Sequence, residues 1–149
     1  MVRPNLHLHA RWRTLAVAAS LAFAVPTFAV AQSSSVDGAA RMAIDGQIAA
    51  FRADDGERAF SYAAPGVRRM FGTSARFMSM VRQGYQPVYA PRDYSFGRTA
   101  ERNGTIYQEV LVTGPKGKAW TALYTLVRQG DGSMLITGCQ IAESEAFAI

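Results

Sequence analysis

Histidine and cysteine are almost absent from this 149-residue chain. His7 and His9 are its two histidines, and Cys139 is its one cysteine. Beyond residue 9, therefore, no Ser-His-Asp triad and no Cys-His pair can be built, and the commonest general base near neutral pH is missing. A His-based zinc or haem site lacks its ligands for the same reason. No metal or organic cofactor is implied. One cysteine cannot close an internal disulfide, so Cys139 is either a free thiol or half of a bridge between chains. No histidine or sequence-adjacent lysine lowers its pKa, as a nucleophile requires. The stretch "LITGCQI" places it on a strand with the parity of Leu135 and Ile141, and the expectation is a buried, unreactive residue. Gly138 beside it allows a close approach or a bulge.

Long apolar runs are scarce too. One exists, "TLAVAASLAFAVPTFAVA", preceded by a basic segment with Arg3, Arg11 and Arg13 and no acid. It is shorter than the roughly 20 residues of a spanning helix and ends in Ala29-Val30-Ala31. The pattern is that of a signal peptide over residues 1–31, with cleavage after Ala31; an uncleaved anchor is the competing reading. No cysteine follows the run, so a lipoprotein attachment site is missing. The expected mature chain is periplasmic or secreted, with a polar leader over 32–35 and one domain over 36–149. Losing three arginines leaves 13 basic residues against 11 acids. The remaining arginines are dispersed without interleaved aromatics, which leaves no footprint for nucleic acid.

Ser34 or Ser35 is expected to cap a helix from about Val36 to Ala53, whose Ala40, Ile44, Ile48 and Phe51 share one face. Asp54 with Glu57 fits a capping box for a short second helix that buries Ala59, Phe60 and Ala63. Pro65 opens a third helix ending at Gly72. Thr73 or Ser74 caps a fourth, with Phe77, Met80 and Val81 inward and Gly84 as its stop. Tyr85 to Tyr89 reads as extended because Pro87 disfavours a helical Gln86. Asn103-Gly104, Gly114 to Gly117 and Gly130 to Gly132 then mark turns between strands, the first a strong hairpin signal.

Helices followed by a meander of four or five strands define an α+β domain. Ile106, Val110 and Val112 alternate with Tyr107 and Leu111, and Trp120, Tyr124 and Leu126 with Leu123 and Val127. The sheet thus has two partly apolar faces. Helices cover one; a homodimer packing sheet against sheet, a C-terminal tail, or scattered exposure accounts for the other.

Few residues suggest chemistry. Asp54-Asp55-Gly56-Glu57 lacks the ligand spacing of a calcium loop, and capping explains it. With Asp54 taken as the cap, Asp55 is the carboxylate free to enter a pocket. Tyr85, Tyr89, Trp120 and Tyr124 are aromatic candidates to line one, core packing being their alternative. Met70, Met78 and Met80 read as packing beneath the helices.

Gln47, Ala50-Phe51, Asp54-Asp55, Ala59-Phe60, Pro65, Phe77, Met80-Val81, Gly84-Tyr85, Pro87-Val88-Tyr89, Tyr124 and Gly138-Cys139 together resemble the bacterial family called domain of unknown function 4864. The resemblance covers nearly all of the expected mature chain but carries no assigned activity, so no catalytic residue transfers. The order of elements is also similar to the nuclear-transport-factor-two-like cone, in which helices pack into a curved antiparallel sheet around a pocket. That superfamily includes isomerases and cyclases as well as binding modules, and the analogy does not choose among them. Two functions follow as expectations: a non-enzymatic module that binds a small apolar or amphipathic ligand or a protein partner, or a small isomerase- or cyclase-like enzyme using Asp and Tyr.

Overall fold

The structure, a computed structural model, describes the backbone of residues 28–144. The expected signal peptide falls outside the described residues up to residue 27. Helix α1 runs Phe28–Arg52, so the expected leader 32–35 lies within it and neither Ser34 nor Ser35 begins it. The anticipated face is real: Ala40, Ile44, Ile48 and Phe51 are buried, together with Ala43, Gln47 and Ala50. Four short helices follow: α2 (Gly56–Ser61), α3 (Pro65–Phe71), α4 (Ser74–Gly84) and α5 (Gln86–Tyr89).

The cap of α2 is shifted by one residue from the expected register. Asp55 Oδ1 accepts from the Arg58 amide at 3.1 Å, whereas Asp54, at φ 53°, turns the chain out of α1. The Asp54 carboxylate instead accepts from Arg82 and, at 3.0 Å, from the Tyr89 hydroxyl, which hold it below the usual carboxylate range. Glu57 accepts from Ser74 Oγ and so ties α2 to α4. Thr73 caps α4, and Gly72, at φ 73°, ends α3 as the sequence suggests. Gly84 stays inside α4, with Tyr85 at its C-cap. The 85–89 segment is the short helix α5 and not extended, because Pro87 sits in its first turn, where a missing N–H costs nothing.

The sheet has four strands in the order β1 (Asp93–Arg102), β2 (Thr105–Thr113), β3 (Ala119–Arg128) and β4 (Met134–Glu143), all antiparallel. The β1–β2 turn is Asn103-Gly104, with φ 51° and 76°. One face meets α1 in a core built from Ala40, Ile44 and Ile48 on the helix and from Ile106, Val110, Val112, Ala122, Tyr124 and Leu126 on the strands. A second core, Ala50, Phe51, Ala59, Phe77, Met78 and Val81, lies among the helices. Met70 belongs to neither, being 77% exposed, contrary to its expected packing role.

Two bulges reset the strand parity. In β1, Gly97 and Arg98 lie between the pairs Phe96↔Val110 and Thr99↔Gln108. Fully buried Gln108 satisfies that bulge: its Nε2 donates to the Gly97, Arg98 and Glu109 carbonyls, and its Oε1 accepts from Thr99 at 2.8 Å. In β4, Thr125 pairs with Gly138 but Leu126 with Ile136, so Thr137 is the extra residue. Cys139 therefore shares the inner face with Ile136 and Ile141, while Leu135 points outward. The outer face carries the half-exposed Leu111 and Leu123, set among Thr105, Thr113, Thr121 and Thr125 by the strand register.

Candidate functional site

A cavity of about 460 Å³ opens where the two cores meet, within the range of roughly 300–1,000 Å³ usual for small-molecule sites. Helix α1 contributes Gln47 and Phe51, one turn apart on its buried stripe. Gln47 Nε2 donates to the Ala59 carbonyl at 3.2 Å, which anchors the carboxamide in the wall and satisfies an otherwise costly buried donor. Helix α4 supplies Phe77, Met80 and Val81, and the opposite wall comes from Tyr124, Ile136 and the bulged stretch Thr137-Gly138-Cys139.

The mouth is formed by α3. Its Val67, Met70 and Phe71 line the opening, yet the helix buries none of its residues. It is fixed at its start by the Tyr62–Ala64 segment, which pairs with the edge of β4. Ile136 N donates to the Tyr62 carbonyl at 2.8 Å, and Ala64 N to the Ile136 carbonyl at 2.8 Å.

None of the sixteen lining residues is Asp, Glu, Lys or Arg. The polar groups at the inner end are neutral. Tyr124 is 1% exposed, and among the described residues its hydroxyl has no oxygen or nitrogen partner, the Cys139 thiol being the polar group beside it. Burial drives its pKa well above 10. Cys139, its direct partner on the strand ladder, is half-buried and has its thiol pushed up to about 12, again by burial. A thiol of that kind is a poor nucleophile.

The structure brings together only part of the set expected from sequence. Tyr85 and Tyr124 line the cavity. Asp55 does not: it is an exposed helix cap, because Asp54 takes the left-handed turn position and leaves Asp55 to the orphan amides of α2. Tyr89 packs on Phe51 but sends its hydroxyl outward to Asp54. Trp120 sits toward the far end of the sheet, beside Gly114, where a Cβ would lie 3.1 Å from Nε1. The other fourteen lining residues, Gln47, Val67, Met70 and Cys139 among them, are not among the pocket candidates expected from sequence. A polar Gln47 in the middle of an apolar stripe is the one signal in sequence that pointed there. Among the described residues, no cluster of three or more His, Cys, Asp or Glu side chains forms a metal-binding arrangement, and no helix is long and apolar enough to cross a membrane.

The profile of "Domain of unknown function (DUF4864)" matches residues 34–149, and the chain belongs to that family. A 2.5 Å structure from Catenulispora acidiphila is similar at 16% identity and a TM-score of 0.49, covering 75% of this chain and 94% of that one. No curated protein matches significantly.

Proposed function

We propose that the chain is an exported, non-enzymatic domain that binds a small, largely apolar molecule in the cavity between α1, α3, α4 and β4. The observation that carries this reading is the size of the cavity together with its uncharged lining. Binding needs apolar surface and a few fixed polar groups, which the wall supplies. An isomerase or cyclase needs a positioned base, and the carboxylate expected in that role, Asp55, caps a helix on the surface instead.

Export rests on the basic segment, the apolar run and Ala29-Val30-Ala31. Cleavage after Ala31 would shorten α1 at its start but keep every buried position from Ala40 onward. Native mass spectrometry of the C-terminally tagged protein, recovered from a bacterial periplasm, tests the whole reading. It should find a chain beginning at Gln32 that carries a small co-purified molecule lost on denaturation. A chain retained in the cytoplasm with residues 1–31 attached refutes export, and a ligand-free spectrum after exposure to the producing cell's lipid extract refutes binding. The same spectrum reports whether Leu111 and Leu123 are covered by a second copy.

A further inference from the structure

Taking the cavity as a binding site, we propose that its ligand is an uncharged molecule with an apolar body and one carbonyl-type acceptor, received by the Tyr124 hydroxyl. Three observations converge on that class. First, the wall has no charged side chain. An ionised group entering it would lose hydration worth several kcal/mol with no counter-charge in return, so charge complementarity selects neutral guests.

Second, the Tyr124 hydroxyl has no oxygen or nitrogen partner and faces only the Cys139 thiol, in a wall otherwise made largely of Phe, Val, Ile and Met. Phenylalanine would fill the same volume without burying an unpaired O–H, which costs about 1–3 kcal/mol. The thiol of Cys139 opposite it is only a weak acceptor. A carbonyl oxygen on a guest supplies the missing partner. The phenol also remains protonated across the physiological range, so it stays a donor.

Third, α3 leaves one apolar side chain uncovered: Val67 and Phe71 pack partly against the helical core, but Met70 does not. Met70 is 77% exposed at the mouth, and Val67 and Phe71 line the opening without being buried. An unbranched thioether adapts to guests of varied shape. Together with Phe77 and Met80 across the opening, it covers an apolar body whose acceptor lies toward Tyr124.

Fluorescence titration of the protein as recovered from the producing cell separates these claims. The probes are prodan, a neutral naphthyl ketone, the carboxylate built on the same dimethylaminonaphthalene ring, and the propyl analogue that lacks the carbonyl. Prodan should bind with blue-shifted emission and at least about tenfold tighter than the carboxylate at neutral pH. Tyr124→Phe should weaken prodan about five- to tenfold, the worth of one neutral hydrogen bond, while leaving the propyl analogue unchanged and the Tm equal or higher. Met70→Glu, at an exposed position the fold does not need, should weaken all neutral probes. Equal affinity for prodan and the carboxylate overturns the neutral class but leaves the cavity reading standing. Equal affinity for prodan and the propyl analogue on the unaltered chain overturns the hydrogen bond, whether or not Tyr124→Phe folds. If none of the three probes binds, the cavity reading itself fails.

Discussion

Two glycines in the same helix should respond to alanine with opposite sign. Gly38 and Gly46 both lie within α1, and on propensity alone either change to alanine stabilises by about 0.5–1 kcal/mol. At Gly38 a new Cβ meets nothing within 4 Å, so the full gain is expected. At Gly46 it would stand 2.1 Å from the Tyr62 hydroxyl oxygen and 2.3 Å from Cζ. The ring must therefore move by more than 1 Å to reach ordinary contact, about 3.4 Å or beyond. Its backbone cannot follow, because the Tyr62 carbonyl is held by Ile136 N at 2.8 Å. The ring has to swing out of the first core, against which it is half-buried. Losing about half the burial of an aromatic side chain costs roughly 1–1.5 kcal/mol, and an off-rotamer side chain adds about 0.5–1.5. Set against the propensity gain, Gly46→Ala should destabilise by about 1–2 kcal/mol, read from urea unfolding at constant m. In a Tyr62→Ala background the obstacle is gone, and Gly46→Ala should stabilise like Gly38→Ala. A Gly46→Ala effect of the same sign and size in both backgrounds refutes the clash and the anchoring of the 62–64 segment with it.

Asp55→Ala should cost about 1 kcal/mol through loss of the α2 cap and leave prodan affinity untouched; a tenfold loss of affinity would put the carboxylate back at the cavity. Gln108→Ala should cost about 2–3 kcal/mol in urea unfolding, because the β1 bulge loses the amide that serves its carbonyls. Gln108→Leu should restore little of that, and full recovery would mean that packing alone fixes the residue. Stability should fall as pH rises above 9. The thiol of Cys139 ionises near 9 when unfolded but only near 12 when folded, so the unfolded state releases the proton first. Between pH 9 and 10 the thiol contributes roughly 1 kcal/mol per pH unit, and Cys139→Ala should lose that share, keeping only the smaller slope from Tyr94 and Tyr124, whose phenols burial also raises. An unchanged slope in that variant would place the thiol in water.

How much was legible in sequence depended on whether a feature is set locally. Asn103-Gly104 reads correctly because both backbone conformations are properties of those two residues. The α1 stripe reads correctly because helical period and burial coincide from Ala40 to Phe51, about three turns. Asp54 and Asp55 are both good caps, and the choice between them was made by Arg82 and Tyr89, some 28 and 35 residues away. The parity of Cys139 failed at Thr137, where a bulge inserts a residue and turns Cys139 inward and Leu135 out. Pro87 was read through the residue before it, although its own place in a first helical turn decided the segment. The cavity was the least legible feature, since its wall draws on five separate stretches of chain.

That cavity follows from how α1 is shared. Ala40, Ala43, Ile44 and Ile48 face the sheet, while Ala50 and Phe51 face the helical cluster. One helix thus serves two apolar cores that approach it from different sides. Gln47 lies between the two sets, and its carboxamide is committed to the Ala59 carbonyl. A larger apolar side chain there would join the cores but would leave that carbonyl without its side-chain donor. On the other wall, the β4 bulge turns Cys139 inward beside Tyr124, leaving a half-buried thiol where a regular strand would present Gly138. Other departures from plain packing, such as the β1 bulge at Gln108, lie elsewhere and are satisfied by their own hydrogen bonds. The glutamine in the stripe, the extra residue in β4, the phenol of Tyr124 and the exposed Met70 all border one space, and their meeting there supports the proposed binding role.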